Sequence, residues 1–217
     1  MQVIDISRTL EARLAVWPGD APFTMQVVAA RQQGASVNLT TLTLSAHTGT
    51  HVDAPYHLAD DAPAAAALDL DIYWGQAQVV TVARADGPLF PDDFAHADLT
   101  RAPRLLVKSA ASLLPTWEFP PAYVYPSPEL AGYLARAGIR LYGADAPSVD
   151  RGDSADLPGH LALLRHGIAI LEGVDLSRAP DGVYEFVALP LKIAGGDGSP
   201  VRAALRAVAP QHGDIDV

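Results

Sequence analysis

His47-Thr48-Gly49-Thr50-His51-Val52-Asp53-Ala54-Pro55-Tyr56-His57 is the stretch on which the reading of this chain turns. Three of the seven histidines in 217 residues fall inside it, with one aspartate among them. Imidazole nitrogen and carboxylate oxygen are the usual ligands of zinc and other divalent first-row metals. In an extended strand, rising roughly 3.3 Å per residue, the Cα atoms of His47 and His51 would stand about 13 Å apart. Metal–nitrogen bonds of about 2.0–2.1 Å scarcely bridge that span, so the segment must curl. Gly49, free to adopt angles closed to other residues, can supply the bend. Pro55 discourages a helix through Asp53 and Ala54. The expectation is a strand running into a coiled loop that grips a metal. Surface polar residues near a turn, or hydrogen-bonded core groups, would look similar singly, but the clustering favours metal.

Working outward, Leu39 to Ala46 alternates Thr41, Thr43 and Ser45 with Leu42, Leu44 and Ala46, the period-2 pattern of a half-buried strand. Ala77–Arg84 and Arg104–Lys108 read as further strands, and Phe90-Pro91-Asp92-Asp93 as a helix start. Ser127 is placed to cap a helix opening at Pro128 and closing at Gly138, with Ile139–Tyr142 as the next strand. The same grammar repeats: a helix over Pro158–His166, Gly167 as its stop, and a buried strand Ile168–Leu171. Val183–Ile193 and Pro200–Val208 close the chain as strands. This order predicts an α/β protein, a single domain over residues 1–217 with a mixed β-sheet core and few short helices.

Bulk properties exclude more than they assign. A hydrophobic fraction of 49% and a charged fraction of 18% fit a soluble globular domain. The formal charge of −10 argues against nucleic acid and anionic membranes as partners. With no cysteine, any metal must be held by nitrogen and oxygen. An acid interrupts the first apolar stretch, and no run of about twenty apolar residues follows, so a cytoplasmic location is expected.

A pair of metals needs more ligands than the first cluster offers. Glu172 ends an apolar strand, and His160 stands in the first turn of the preceding helix. A helix returning as a strand can bring both to one end of the fold. Alternatively, Glu172 is a strand-end acid in solvent and His160 an ordinary helix-start residue. His96 is expected in an exposed helix, His166 near a helix C-terminus, and His212 in a tail.

The eleven-residue motif resembles the signature of the metal-dependent cyclase-like hydrolases, and within them the bacterial kynurenine formamidases. The opening Asp5-Ile6-Ser7, the Trp17-Pro18-Gly19-Asp20 turn, His160 and Glu172 share the resemblance, which runs to about Pro200. It implies a swivelling β/β/α fold, a homodimer, and two Zn2+ per subunit. His47, His51 and Asp53 would hold the first zinc. Asp53 would bridge to a second held by His160, with Glu172 contributing to both. His57 would transfer protons and Trp17 would wall the substrate pocket, though a further ligand at His57 and a core-packing role for Trp17 stay open. The implied reaction releases formate from N-formyl-L-kynurenine, a small-molecule aryl formamide, in tryptophan degradation.

The chemistry suits these residues. Zinc lowers the pKa of bound water from about 15.7 to about 7, and a second ion can polarise the formyl oxygen. The departing aryl amine needs a proton, and histidine titrates in the useful range. Manganese is compatible with an all-nitrogen/oxygen set. Competing readings are a hydrolase of cyclic imides, lactams or isatin-like rings, and a non-catalytic metal-binding module. Gly152-Asp153-Ser154-Ala155-Asp156 lacks the closing glycine of a serine-hydrolase elbow. Gly195-Gly196-Asp197-Gly198 lacks a third dinucleotide-binding glycine and reads as a loop, or less readily as a segment approaching the substrate.

Overall fold

The computed structural model of the chain describes residues 2–208, so His212 lies outside the described residues. The strands in chain order are β1 (Val3–Asp5), β2 (Thr24–Ala29), β3 (Leu39–Thr43), β4 (His51–Asp53) and β5 (Trp74–Thr81). β6 (Gly87–Leu89), β7 (Arg104–Lys108) and β8 (Val124–Pro126) lead to helix α1 (Pro128–Arg136) and β9 (Leu141–Ala144). Helix α2 (Pro158–Arg165) precedes β10 (Ala169–Glu172), β11 (Gly182–Val187), β12 (Gly198–Pro200) and β13 (Ala204–Ala207).

A nine-stranded mixed sheet in the order β1-β13-β11-β5-β7-β9-β10-β4-β12 forms the body. Its centre, β5-β7-β9-β10, is parallel, and the flanking pairs are antiparallel. Parallel strands covered on both faces read as near-continuous apolar runs, which is why Arg104–Lys108 and Ile168–Leu171 were legible. Successive residues of β7 alternate between two cores. Leu105 and Val107 join Leu130, Leu134 and Leu163 of the helices, whereas Leu106 faces Phe186, Leu171 and Val52. The expected α/β fold with few short helices is the one observed.

Ser127 Oγ accepts from the Leu130 amide at 3.1 Å and so caps α1 as expected. Gly138 and Gly167 leave the two helices with φ of 83° and 67°. Three local expectations are corrected. Pro91–Phe94 forms one 3-10 turn and goes no further. The strand from Val183 stops at Val187, short of Pro190, which has no amide to give a ladder. β3 ends at Thr43, because the chain must turn before His47, and it pairs only with β2 in a separate ribbon exposed along its length. No helix among the described residues is long and apolar enough to cross a membrane.

Candidate metal centre

Register delivers the donors to one place. On β4, His51 lies directly opposite Glu172 of β10 on one side and Pro200 of β12 on the other, and Asp53 lies opposite Gly198. Glu172 is the last residue of β10, so it projects beyond the carboxyl end of the parallel sheet, where open α/β sheets place their ligands. The loop after β9 reaches the same end, and its Val149 amide donates to Glu172 Oε1 at 2.8 Å. The predicted curl is present. Gly49 has φ +69°, and the His47 and His51 rings meet edge-on with centroids 5.0 Å apart. A second glycine lets two turns touch: a Cβ on Gly173, at φ +67°, would stand 2.4 Å from the Gly49 carbonyl oxygen.

The histidines are aimed through their outer nitrogens. His51 Nδ1 sits 3.1 Å from the Gly49 carbonyl, which can only accept, so the proton belongs on Nδ1 and Nε2 faces the cluster. His160 Nδ1 lies 2.7 Å from Asp150 Oδ2, with its Nε2 3.5 Å from both Asp53 Oδ2 and Glu172 Oε1. Asp150 also accepts from the Gly159 and His160 amides at 2.7 and 2.9 Å, doing for α2 what its N-cap residue, Leu157, cannot. Space for that contact requires Gly159, whose Cβ would stand 2.1 Å from the Val149 carbonyl oxygen.

Two donor groups result, His47–His51–Asp53 and Asp53–His160–Glu172, and they share Asp53. His51, Asp53, His160 and Glu172 are buried. His51 Nε2 and both carboxylate oxygens of Asp53 are buried without a hydrogen-bond partner, although imidazoles and a carboxylate stand close by. An uncompensated buried carboxylate is costly. Divalent ions held between these donors would satisfy all three atoms, so the residues present fit a metal centre without thiolates.

Electrostatics agree. Burial opposes charge on His47, but Asp53 and Asp197 outweigh it and lift its pKa to about 9. Against the same burial, Asp150 and Asp53 lift His160 to about 10, and Glu172 raises His51. Burial alone would raise Asp53; contacts with His160 and His47 overrule it and hold the carboxyl well below the usual range. In the metal-free protein, protons therefore neutralise the carboxylates. Ligation needs neutral imidazole, so a metal must displace them.

A cavity of about 520 Å³ opens onto the cluster. Trp17 lines it and packs edge-on against Phe119 with centroids 5.4 Å apart. The Trp17-Pro18-Gly19-Asp20 turn is closed by the Asp20 amide donating to the Trp17 carbonyl at 2.9 Å, with Gly19 at φ +93°. His57 also lines the cavity, tilted over His47 at 4.3 Å between centroids and 6.1 Å from His160. Thus His47, His51, Asp53, His57, His160, Glu172 and Trp17 converge on one site. His96 and His166 are exposed and stand apart from it.

Sequence reasoning missed two residues. Asp197 Oδ2 lies 3.1 Å from His47 Nε2 and 3.5 Å from His57 Nδ1, forming a third potential donor group with them. Its signal was the Gly195–Gly198 loop, read mainly as a connection. Asp150, which orients His160, sits ten residues upstream in a loop with no pattern to mark it.

Comparison with known proteins agrees with this geometry. The putative cyclase family matches residues 4–151. A kynurenine formamidase of Salinibacter ruber is 47% identical over 207 residues, covering 95% of this chain and 98% of that one. Among solved structures, a potential metal-dependent hydrolase with cyclase activity matches with a TM-score of 0.81 and 26% identity, over 94% of this chain and 96% of the other. Isatin hydrolase A from Labrenzia aggregata, bound to benzyl benzoate, matches with a TM-score of 0.79 and 26% identity, over 94% and 93%. With its donor cluster set in a fold shared along nearly its whole length, the chain belongs to the putative cyclase family and, within it, to the kynurenine formamidases.

Proposed function

We propose that the protein hydrolyses N-formyl-L-kynurenine to L-kynurenine and formate at a centre of two Zn2+ per subunit, with Mn2+ as an acceptable substitute. Asp53 carries the reading: one buried carboxylate, both oxygens unbonded, is shared by two sets of donors at the end of an aromatic-walled cavity. We assign His47, His51 and Asp53 to one ion, and Asp53, His160 and Glu172 to the other. Ions there would supply a water acidic enough to attack near neutral pH and an electrophile for the formyl oxygen.

The chain's own residues do the rest. Trp17, braced by Phe119, offers a face on which the substrate's aromatic ring can stack. His57 is near the ligands yet one-third exposed in its side chain, and its Nδ1 is within ion-pair reach of Asp197. That leaves Nε2 to deliver a proton to the departing aniline nitrogen, which leaves poorly as an anion. Asp197 holds His57 and His47 in register, as Asp150 holds His160.

The homodimer implied by the family resemblance has a candidate contact in the β2–β3 ribbon. Met25 pairs with Leu42 and Val27 with Thr40 on one face, while Thr24, Gln26, Thr41 and Thr43 occupy the other. Among the described residues nothing covers that apolar face. Two-stranded ribbons are marginal alone and need packing on one face.

Assay of zinc-loaded protein on N-formyl-L-kynurenine and isatin tests the reading. Turnover of the formamide with two zinc ions per subunit is expected. Isatin ring opening with negligible formamide turnover would transfer the assignment to the isatin-type reaction, which the similarity to isatin hydrolase A favours as second choice. Unfolding on chelation, with no hydrolase activity to lose, would make the site structural.

A further inference from the structure

Arg8 is the only lysine or arginine among the described residues lining the cavity. It is partly buried, and Nε donates to the Gly173 carbonyl at 3.1 Å while Nη2 donates to the Asp145 carbonyl at 2.9 Å. Its amide also donates to Thr50 Oγ1 at 2.8 Å, and that hydroxyl donates to Gly173 at 2.7 Å. The guanidinium is thereby tied to Gly173, one residue past Glu172, and the Arg8 backbone to Thr50, one residue before His51. Among the described residues, Nη1 has no hydrogen bond and no carboxylate lies within ion-pair distance of the side chain.

Arg104 shows what a purely structural arginine looks like here. It too is buried without a carboxylate partner, but Nε, Nη1 and Nη2 all reach carbonyls, those of Ile72, Gln76, Asp71 and Trp74. Its donors are closed off and it does not line the cavity. Arg8 keeps a free donor and a charge without a direct carboxylate contact at a ligand-sized opening, although Asp145 and Asp175 favour that charge from farther away. Buried charges are ordinarily paired, and a guanidinium matches a carboxylate in both charge and shape. The acids of the lining, Asp20, Glu118, Glu172 and Asp197, would repel an anion.

We propose that Arg8 anchors the α-carboxylate of the amino-acid end of the substrate, making the enzyme selective for aryl formamides that carry an acidic side chain. The assignment rests on the formamidase reading, which supplies a substrate with a carboxylate beyond its aryl ring. Zinc-loaded protein is assayed on N-formyl-L-kynurenine, on its descarboxy analogue ending in a primary amine, and on formanilide. The expected result is kcat/KM at least roughly tenfold higher with the carboxylate than without it, as for a hydrogen bond to a charged group. Arg8→Met should erase that preference through KM, leave formanilide turnover within about threefold of wild type, and be partly rescued by Arg8→Lys. Equal kcat/KM on the first two substrates in wild type overturns the proposal without any variant having to fold. An equal loss on all three substrates in Arg8→Met also overturns it, marking the residue as structural. Formanilide turnover without carboxylate preference leaves the hydrolase reading standing while Arg8 falls. No turnover of any formamide removes the hydrolase reading, and calorimetric titration with L-kynurenine and its descarboxy analogue then decides: tighter binding of the carboxylate supports Arg8, and equal or absent binding overturns it.

Discussion

In the donor cluster, Asp53 and Glu172 are only 5% and 4% exposed; in the β2–β3 ribbon, Met25 and Leu42 are 59% and 51% exposed. The first region buries charge, and the second leaves apolar surface in water. Both invert the usual distribution of side chains. The cluster has three buried polar atoms without hydrogen bonds, which divalent ions would satisfy. The ribbon has one apolar and one polar face, and among the described residues nothing covers the apolar one. The cluster teaches that buried polar groups can await a ligand; the ribbon teaches that an alternating strand can leave its apolar face in water.

The cluster breaks most severely at the residue its two halves share. Asp53→Asn should remove both ions, measured by metal analysis of purified protein. Its activity loss should exceed the roughly 100-fold ceiling typical of residues that only orient ligands. His57→Ala separates proton transfer from ligation: metal content should hold while kcat drops by about 10²–10⁴-fold. Loss of metal along with activity would instead make His57 a ligand. Asp150→Asn should be milder, because it frees the His160 ring without removing a donor. A loss of roughly 10–100-fold in metal affinity, read by chelator competition, is expected.

How legible all this was depended on the distance over which each feature is encoded. The curl at Gly49 and the His47–His57 cluster are local, and steric and ligand-length arguments on eleven residues recovered them. The strands of the parallel centre were legible because both faces are apolar, and α1 because Ser127, Pro128 and Gly138 mark its ends. Asp150 and Asp197 were opaque for the converse reason. Their partners lie ten and one hundred and fifty residues away, joined by loop geometry and by the β12–β4 pairing. The alternation in Leu39–Ala46 was read as a half-buried strand, whereas β3 is exposed along its length in a ribbon apart from the main sheet. The pattern was sound, but among the described residues none covers its apolar face.

Acidity sharpens the comparison, since it acts on the cluster and spares the ribbon. In the metal-free protein, His47 and His160 titrate near 9 and 10, above the ordinary histidine value. A raised folded-state pKa stabilises the fold fully below the unfolded value of about 6.5 and ceases to do so as pH climbs through the folded value. Metal-free protein should therefore lose thermal stability from about pH 6.5 to 10, as the imidazoles deprotonate and leave buried carboxylates unbalanced. Zinc should flatten that decline by replacing the protons, so the rise in Tm on adding zinc should grow with pH. Scanning calorimetry with and without metal checks this, and a metal-free Tm that rises over the window would contradict it.

Ribbon substitutions should change the chain itself least. Leu42→Glu, and Val27→Glu beside it, put charge on a face that the isolated chain already exposes to water. Neither side chain leaves a buried site, so intrinsic stability should move by only about 0.5 kcal/mol, the usual range for surface changes. In an assembly the same charge would be desolvated against an apolar partner face, a far larger penalty. Light scattering behind size exclusion should show the mass falling from dimer to monomer. Thr41→Glu, on the polar face of the same strand, should leave it unchanged. Metal content should also survive in all three variants, because His47 is reached only after the ribbon has ended at Thr43. A dimer that persists through both apolar-face substitutions would move the contact elsewhere on the surface. The ribbon's alternation would then record only the strand propensity of threonine and leucine.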